Sequence, residues 1–158
     1  MRKIWAPWRI EYIRSAKGEG CIFCQKPTEK RDRQNYILFR GKKNFVMLNR
    51  YPYNPGHIMV ASYRHLAAFE ELTDEELFEH FDLMRKCTRA LKGAYKPDGF
   101  NIGINLGRVA GAGVEGHVHT HIVPRWNGDT NFTTVVSDLR VIPQALASTY
   151  SELKGRIV

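Results

Sequence analysis

The chain has 158 residues, 43% hydrophobic and 25% charged, a globular balance that suits one domain with a core large enough to need no disulfide staples. No stretch approaches the roughly 20 apolar residues of a membrane span, and the opening MRKIWAPWRIEYIRS lacks the apolar centre of a secretory leader, so the expected location is the cytoplasm. A net charge of +8, from 24 Lys+Arg against 16 Asp+Glu, suits an anionic partner such as a nucleotide or polyphosphate. The basic residues are scattered with no long block, which argues against nucleic acid.

In chain order, residues 1–20 carry tryptophan, arginine and Pro7 and are expected as an extended arm, with 21–158 forming a single domain. Cys21 and Cys24 make a C-x2-C pair that reads as metal-binding or redox-active, against the plainer reading of two buried thiols in a reducing compartment. Polar residues 25–35 read as a loop. YILFR (36–40) and NFVMLN (44–49), split at Gly41, predict a hairpin, and HIMVAS (57–62) predicts a third strand. Thr73 with Glu76 three residues later is a capping box. It opens a helix whose inward stripe is expected at Leu77, Phe81, Met84, Thr88 and Leu91, with Gly93 as its stop. Cys87 within it reads as a small buried hydrophobe. FNIGINL (100–106) alternates as a strand, GRVAGAG (107–113) is a glycine-rich loop, and a further strand runs from the histidines to Pro124. TTVVSDLRVI holds another short strand, and a terminal helix is expected from Pro143. Neighbouring hairpins with one long helix between them predict an α+β fold on an antiparallel sheet.

The sharpest feature is GHVHTHIVPRW (116–126). His117, His119 and His121 alternate with Val118, Thr120 and Ile122, so on a strand the three imidazoles share a face about 6–7 Å apart. They could be solvent-facing residues, a catalytic His₃ metal site, or a nucleophile with acid–base partners acting at phosphorus. A neutral imidazole is a competent nucleophile near pH 7, and a protonated neighbour can serve a leaving group. Gly107, Gly111 and Gly113 permit backbone N–H groups to approach phosphate oxygens, and Arg125 adds charge. If the C-x2-C pair holds a metal, it needs two more ligands. His65 in SYRHL is one candidate, and one histidine of the cluster could complete a closed Cys₂His₂ site.

HVHTHIVPRW resembles the signature of the histidine-triad (HIT) family. NFVMLNRYPYNPGHIMVASYRH (44–65) is similar to the family's first half-site and FNIGINLGRVAG (100–111) to its phosphate loop, so the resemblance spans residues 20–126. It implies a HIT-like fold, a five-stranded antiparallel sheet with one long helix and a C-terminal helix, paired into a homodimer. It also implies an enzyme, a nucleotide hydrolase or nucleotidyltransferase that cleaves dinucleoside polyphosphates such as diadenosine tetraphosphate at the α-phosphate. His119 would be the nucleophile, supported by His121 and His57. Asn49 would contact the ribose, and Asn105 with Gly111 and Gly113 would lie at the phosphates. One structural zinc per chain would be held by Cys21, Cys24, His65 and His117. The run from Ala110 to Gly116 lacks the glutamine many relatives carry there and has an extra residue. It resembles a bacterial branch that includes diadenosine tetraphosphate phosphorylases. The competing reading is a nucleotide-binding module with a structural zinc and little catalysis.

Overall fold

A computed structural model describes residues 20–130 and 141–158. The expected arm lies almost wholly outside the described residues, as does most of the strand expected near 133–142. Five strands form one antiparallel sheet: β1 (Ile37–Arg40), β2 (Asn44–Leu48), β3 (Ile58–Ser62), β4 (Gly99–Ile104) and β5 (His119–Arg125), in the order β1-β2-β3-β5-β4. The sheet matches the α+β expectation, and β5 lies between β3 and β4, antiparallel to both.

The two faces of the sheet separate by residue parity. Val46, Leu48, Ile58, Val60 and Ile122 point toward the long helix, where Leu83, Cys87, Ala90 and Leu91 complete the main core. Phe45, Met47, Met59 and Ala61 point the other way, to a second cluster closed by Phe23. The second face also carries the histidines, since His119 pairs in register with Ala61 and His121 with Met59 and Gly103.

Residues 25–35 are not a loop. Two short helices, α1 (Ile22–Thr28) and α2 (Asp32–Asn35), occupy them. Cys21 O accepts the N–H groups of Cys24 and Gln25, starting a turn that buries Phe23 and Pro27 beneath a polar exterior. The polar composition therefore described the outer face alone.

The long helix α3 (Asp74–Tyr95) begins with the expected capping box between Thr73 and Glu76. Its inward face, however, is Glu76, His80, Leu83, Cys87, Ala90 and Leu91, while Phe81 is 57% exposed and Phe78 80%. The stripe is rotated because two polar residues are buried with partners. Arg64 reaches Glu76 at 2.7 Å, and His80 lies between Asn44 Oδ1 (3.0 Å) and Thr120 Oγ1 (2.7 Å). Gly93 does not stop the helix. A single glycine costs about 1 kcal/mol relative to alanine, too little to end a packed helix. The end comes at Lys96, in the left-handed region, ahead of Pro97. The terminal helix α4 spans Leu146–Leu153, three residues later than Pro143, with Gln144 outside it bonded to Thr149 and Glu152.

Glu79 of α3 closes the first hairpin. Its carboxylate accepts the N–H groups of Lys42, Lys43 and Asn44 at 2.6–2.7 Å. Burial pushes this carboxyl up, but the three backbone donors outweigh it and hold it below its ordinary value.

Candidate functional site

The four sulfur and nitrogen donors expected to bind metal converge. Cys21 Sγ lies 3.2 Å from His117 Nδ1, Cys24 Sγ lies 3.3 Å from His65 Nδ1 and 3.6 Å from His117 Nδ1, and all four donor atoms fall within 4.8 Å of one another. Zinc bonds of about 2.3 Å to sulfur and 2.0–2.1 Å to nitrogen place tetrahedral ligands about 3.5 Å apart, so the cage fits a closed Cys₂His₂ site. His117 Nε2–H donates to Ser62 O at 2.9 Å, which leaves Nδ1 as the lone-pair nitrogen facing the sulfurs. Burial, and then the Cys21 sulfur beside it, push the Cys24 thiol up in the metal-free chain. Among the described residues this is the one His/Cys/Asp/Glu cluster with metal-binding spacing.

His119 is 3% exposed, and its Nδ1 lies 2.8 Å from His117 O. A carbonyl only accepts, so Nδ1 carries the proton. Burial holds the ring below its ordinary pKa, so it is neutral near pH 7 with its lone pair on Nε2. One residue, His117, thus faces the metal cage with its ring and fixes the tautomer of His119 with its carbonyl. Phe23, two residues along from Cys21, packs on both rings, with centroids 5.1 Å from His117 and 4.6 Å from His119.

His57 and His121 form a second chain of bonds. Tyr53 N–H donates to His57 Nδ1 at 3.1 Å, so in the neutral ring the proton resides on Nε2. That Nε2 lies 2.9 Å from His121 Nδ1 and donates to it, leaving His121 with an Nε2–H. Burial, with the His121 ring next in effect, pushes His57 down to about 3; burial and then His119 push His121 down to about 4. Both rings are therefore neutral near pH 7, and His121 presents an Nε2–H as donor. His57 itself is set by Gly56, whose φ of 76° is left-handed and whose missing Cβ would sit 3.0 Å from Leu91 Cδ2.

The remaining expected residues border these histidines. Asn49 Oδ1 accepts the Tyr51 N–H at 2.9 Å, and its amide lies 3.4 Å from His57 Nδ1. Asn105 Nδ2 reaches Gly111 O at 3.5 Å, tying the end of β4 to the glycine loop. The Gly111 N–H closes a turn on Arg108 O, so Gly111 supplies the left-handed corner (φ 85°) and its amide is already engaged. Gly113 lies beyond that corner in open space. Arg125 is held within the fold. Asp129 holds it at both carboxylate oxygens, at 2.5 and 2.8 Å, and Asn101 Oδ1 takes its third bond at 2.7 Å. Phe23, Tyr53 and His80 are the site's unforeseen neighbours. Phe23 stands inside the C-x2-C pair, and Tyr53 stands between the prolines that precede His57, so both lay beside motifs already singled out.

The triad strand, the Pro-Gly-His corner and the glycine loop all lie within the span that a known family model matches. The HIT domain model matches residues 30–128, and the chain belongs to the HIT domain family. It is 39% identical to a Mycobacterium tuberculosis protein named AP-4-A phosphorylase over 158 residues, covering 94% of this chain and 80% of that protein. It is 34% identical to the Schizosaccharomyces pombe bis(5'-nucleosyl)-tetraphosphatase (asymmetrical) over 115 residues, 72% of this chain and 63% of that one. Among solved structures, a hypothetical histidine triad nucleotide-binding protein of Sulfolobus tokodaii superposes with a TM-score of 0.68 at 26% identity, covering 87% of this chain and 89% of that one. A Zn-bound histidine triad family protein of Mycobacterium smegmatis shares the fold, with a TM-score of 0.70 at 24% identity over 87% of this chain and 93% of the other.

Proposed function

We propose that the protein cleaves dinucleoside polyphosphates, such as diadenosine tetraphosphate, at the α-phosphate through a nucleotidyl-histidine on His119. The observation that carries this reading is the His119 Nδ1–His117 O bond, which leaves a neutral imidazole with its lone pair on Nε2 beside a second, donor-bearing imidazole. The two relatives named for diadenosine or dinucleoside tetraphosphate chemistry support the substrate class.

In the first step the His119 Nε2 lone pair forms a bond to the α-phosphorus, and the bond from phosphorus to the bridging oxygen breaks. The departing polyphosphate takes that electron pair. The His121 Nε2–H donates to an oxygen of the reacting group, held in place by His57 from behind. In the second step water or inorganic phosphate attacks the phosphorus and the bond to His119 breaks, its electron pair returning to Nε2 with the proton that water gives up. Asn49 is assigned to the ribose, and Asn105 with the Gly111–Gly113 corner to the phosphates. Cys21, Cys24, His65 and His117 are assigned to one structural zinc, whose chemistry when bound is to cross-link the start of α1 to β5 and the end of β3.

Diadenosine tetraphosphate incubated with and without inorganic phosphate tests the reading. ADP plus ATP formed only with phosphate identifies phosphorolysis; AMP plus ATP without it identifies hydrolysis. A denaturing quench at alkaline pH, where the N–P bond survives, should trap labelled nucleotide on the wild type, and His119→Ala should trap none and lose turnover. Tight AMP binding with no labelled protein and no turnover would instead favour the binding-module reading.

A further inference from the structure

The hydrogen bond from His119 Nδ1 to His117 O fixes which nitrogen carries the proton, but it leaves the imidazole free to swing about the N···O line. Contact with other rings stops that swing. Among the described residues two rings meet His119: His121 edge-on, with centroids 4.8 Å apart and planes at 68°, and Phe23 closer to face-on, at 4.6 Å and 33°. His121 is tied to His57, whereas Phe23 is anchored by the cysteine turn. Cys21 O accepts the N–H groups of Cys24 and Gln25, and the turn so formed sends the Phe23 side chain inward, where it is 1% exposed and packs with Ile37, Phe45 and Met47. The same ring lies 5.1 Å from His117. A filler for this cluster need only be apolar, as Ile37 and Met47 are. A flat ring laid near the plane of an imidazole also limits how that imidazole can turn.

We infer that Phe23 is a positioning residue for His119. It holds the imidazole plane that aims Nε2, and it makes that plane follow the cysteine turn. The turn thus acts on His119 through a side chain as well as through the His117 carbonyl. The inference rests on the function proposed above, because it takes His119 as the nucleophile. It deepens that reading by naming a residue that touches neither substrate nor metal. Loss of the flat ring lets His119 tilt, and a reacting atom displaced by about 1 Å costs up to about 100-fold in rate. A tilted ring also gives up its bond to His117 O, so the proton is no longer confined to Nδ1, because the tautomer is set by the partner.

Phe23→Ala empties a buried cluster and costs folding along with position, so Phe23→Leu is the test. The control is Phe45→Leu, which removes a ring 6.5 Å from Phe23 in the same cluster but leaves Phe23 on His119. Phe23→Leu should keep the zinc content of wild type and bind a methylene-bridged analogue of diadenosine tetraphosphate within about threefold of wild type, while kcat falls about 10- to 100-fold. Phe45→Leu should lower Tm comparably and keep kcat within about threefold. Long-range 1H–15N NMR of the substrate-free protein gives a reading without turnover. Wild type and Phe45→Leu should show His119 protonated at Nδ1, and Phe23→Leu a mixture with the Nε2 form. Loss of zinc from Phe23→Leu, or equal kcat losses in the two variants, would mean that Phe23 only fills the core, and would overturn the inference. An unchanged kcat in Phe23→Leu with His119 still protonated wholly at Nδ1 would overturn it too. A wild type that cleaves nothing, with the tautomer still shifted by Phe23→Leu and not by Phe45→Leu, would refute the proposed reaction while sustaining the positioning role.

Discussion

Thr120 lies between His119 and His121 but points to the opposite face, and its hydroxyl should be needed for stability because of what it leaves behind when removed. Its Oγ1 is 2.7 Å from His80 Nε2, and both residues are at most 2% exposed. The tautomer follows from the next partner along. Asn44 uses its amide N–H groups on Glu76 O and Glu79, so its Oδ1 must accept from His80 Nδ1–H. His80 Nε2 is therefore an acceptor, and Thr120 donates to it. Thr120→Val preserves shape and strand preference but strands that nitrogen in the core. The cost of one lost bond plus a buried unsatisfied acceptor is about 1–3 kcal/mol. For a chain of this size that corresponds to a drop of about 2–12 °C in Tm. Urea unfolding at fixed protein concentration and zinc saturation measures it. The same substitution in a His80→Leu background should cost nothing or stabilise, since the hydroxyl then has no partner there. Equal costs in both backgrounds, or no cost in the wild type, would refute this account of the network.

Two further outcomes follow from the same geometry. Burial holds His80 at about 4, below its ordinary value near 6.5, so the unfolded chain takes up its proton first as pH falls. That contribution to stability is complete above about pH 6.5 and declines as pH drops toward 4, by up to about 1.4 kcal/mol per pH unit. His80→Leu should flatten the curve of unfolding free energy against pH by one proton's worth over this window, and an unchanged slope would contradict the assignment. Metal analysis of purified wild type should find one zinc per chain, and Cys24→Ser should lower both zinc content and Tm. Far less than one zinc in the wild type would remove Cys21, Cys24, His65 and His117 as a ligand set.

The sheet and the capping box were legible because they depend on neighbours in sequence: alternation, a glycine turn, a threonine three residues before a glutamate. The inward stripe of α3 was not, because Glu76 and His80 look like surface residues until Arg64, Asn44 and Thr120 arrive from distant segments. The metal cage shows both cases. The spacing of Cys21 and Cys24 announced a site with His65 as a candidate partner, and the family resemblance singled out His117 from the histidine cluster, whereas Phe23 between the cysteines gained its place against His119 only through the folded turn. Arg125 read only as added charge near the glycine loop, and its pairing with Asp129, four residues on, came from the folded turn.

The double service of His117 sets a limit on what can be moved elsewhere. Its imidazole faces the cysteine pair and its carbonyl holds His119, so the tautomer of the His119 ring is written into a peptide unit and not into a replaceable side chain. Transplanting the histidines onto a different sheet would therefore have to carry the backbone from 117 to 119 in its present conformation. In a scaffold without the cysteine knuckle, something else would have to pin that peptide before His119 could present Nε2.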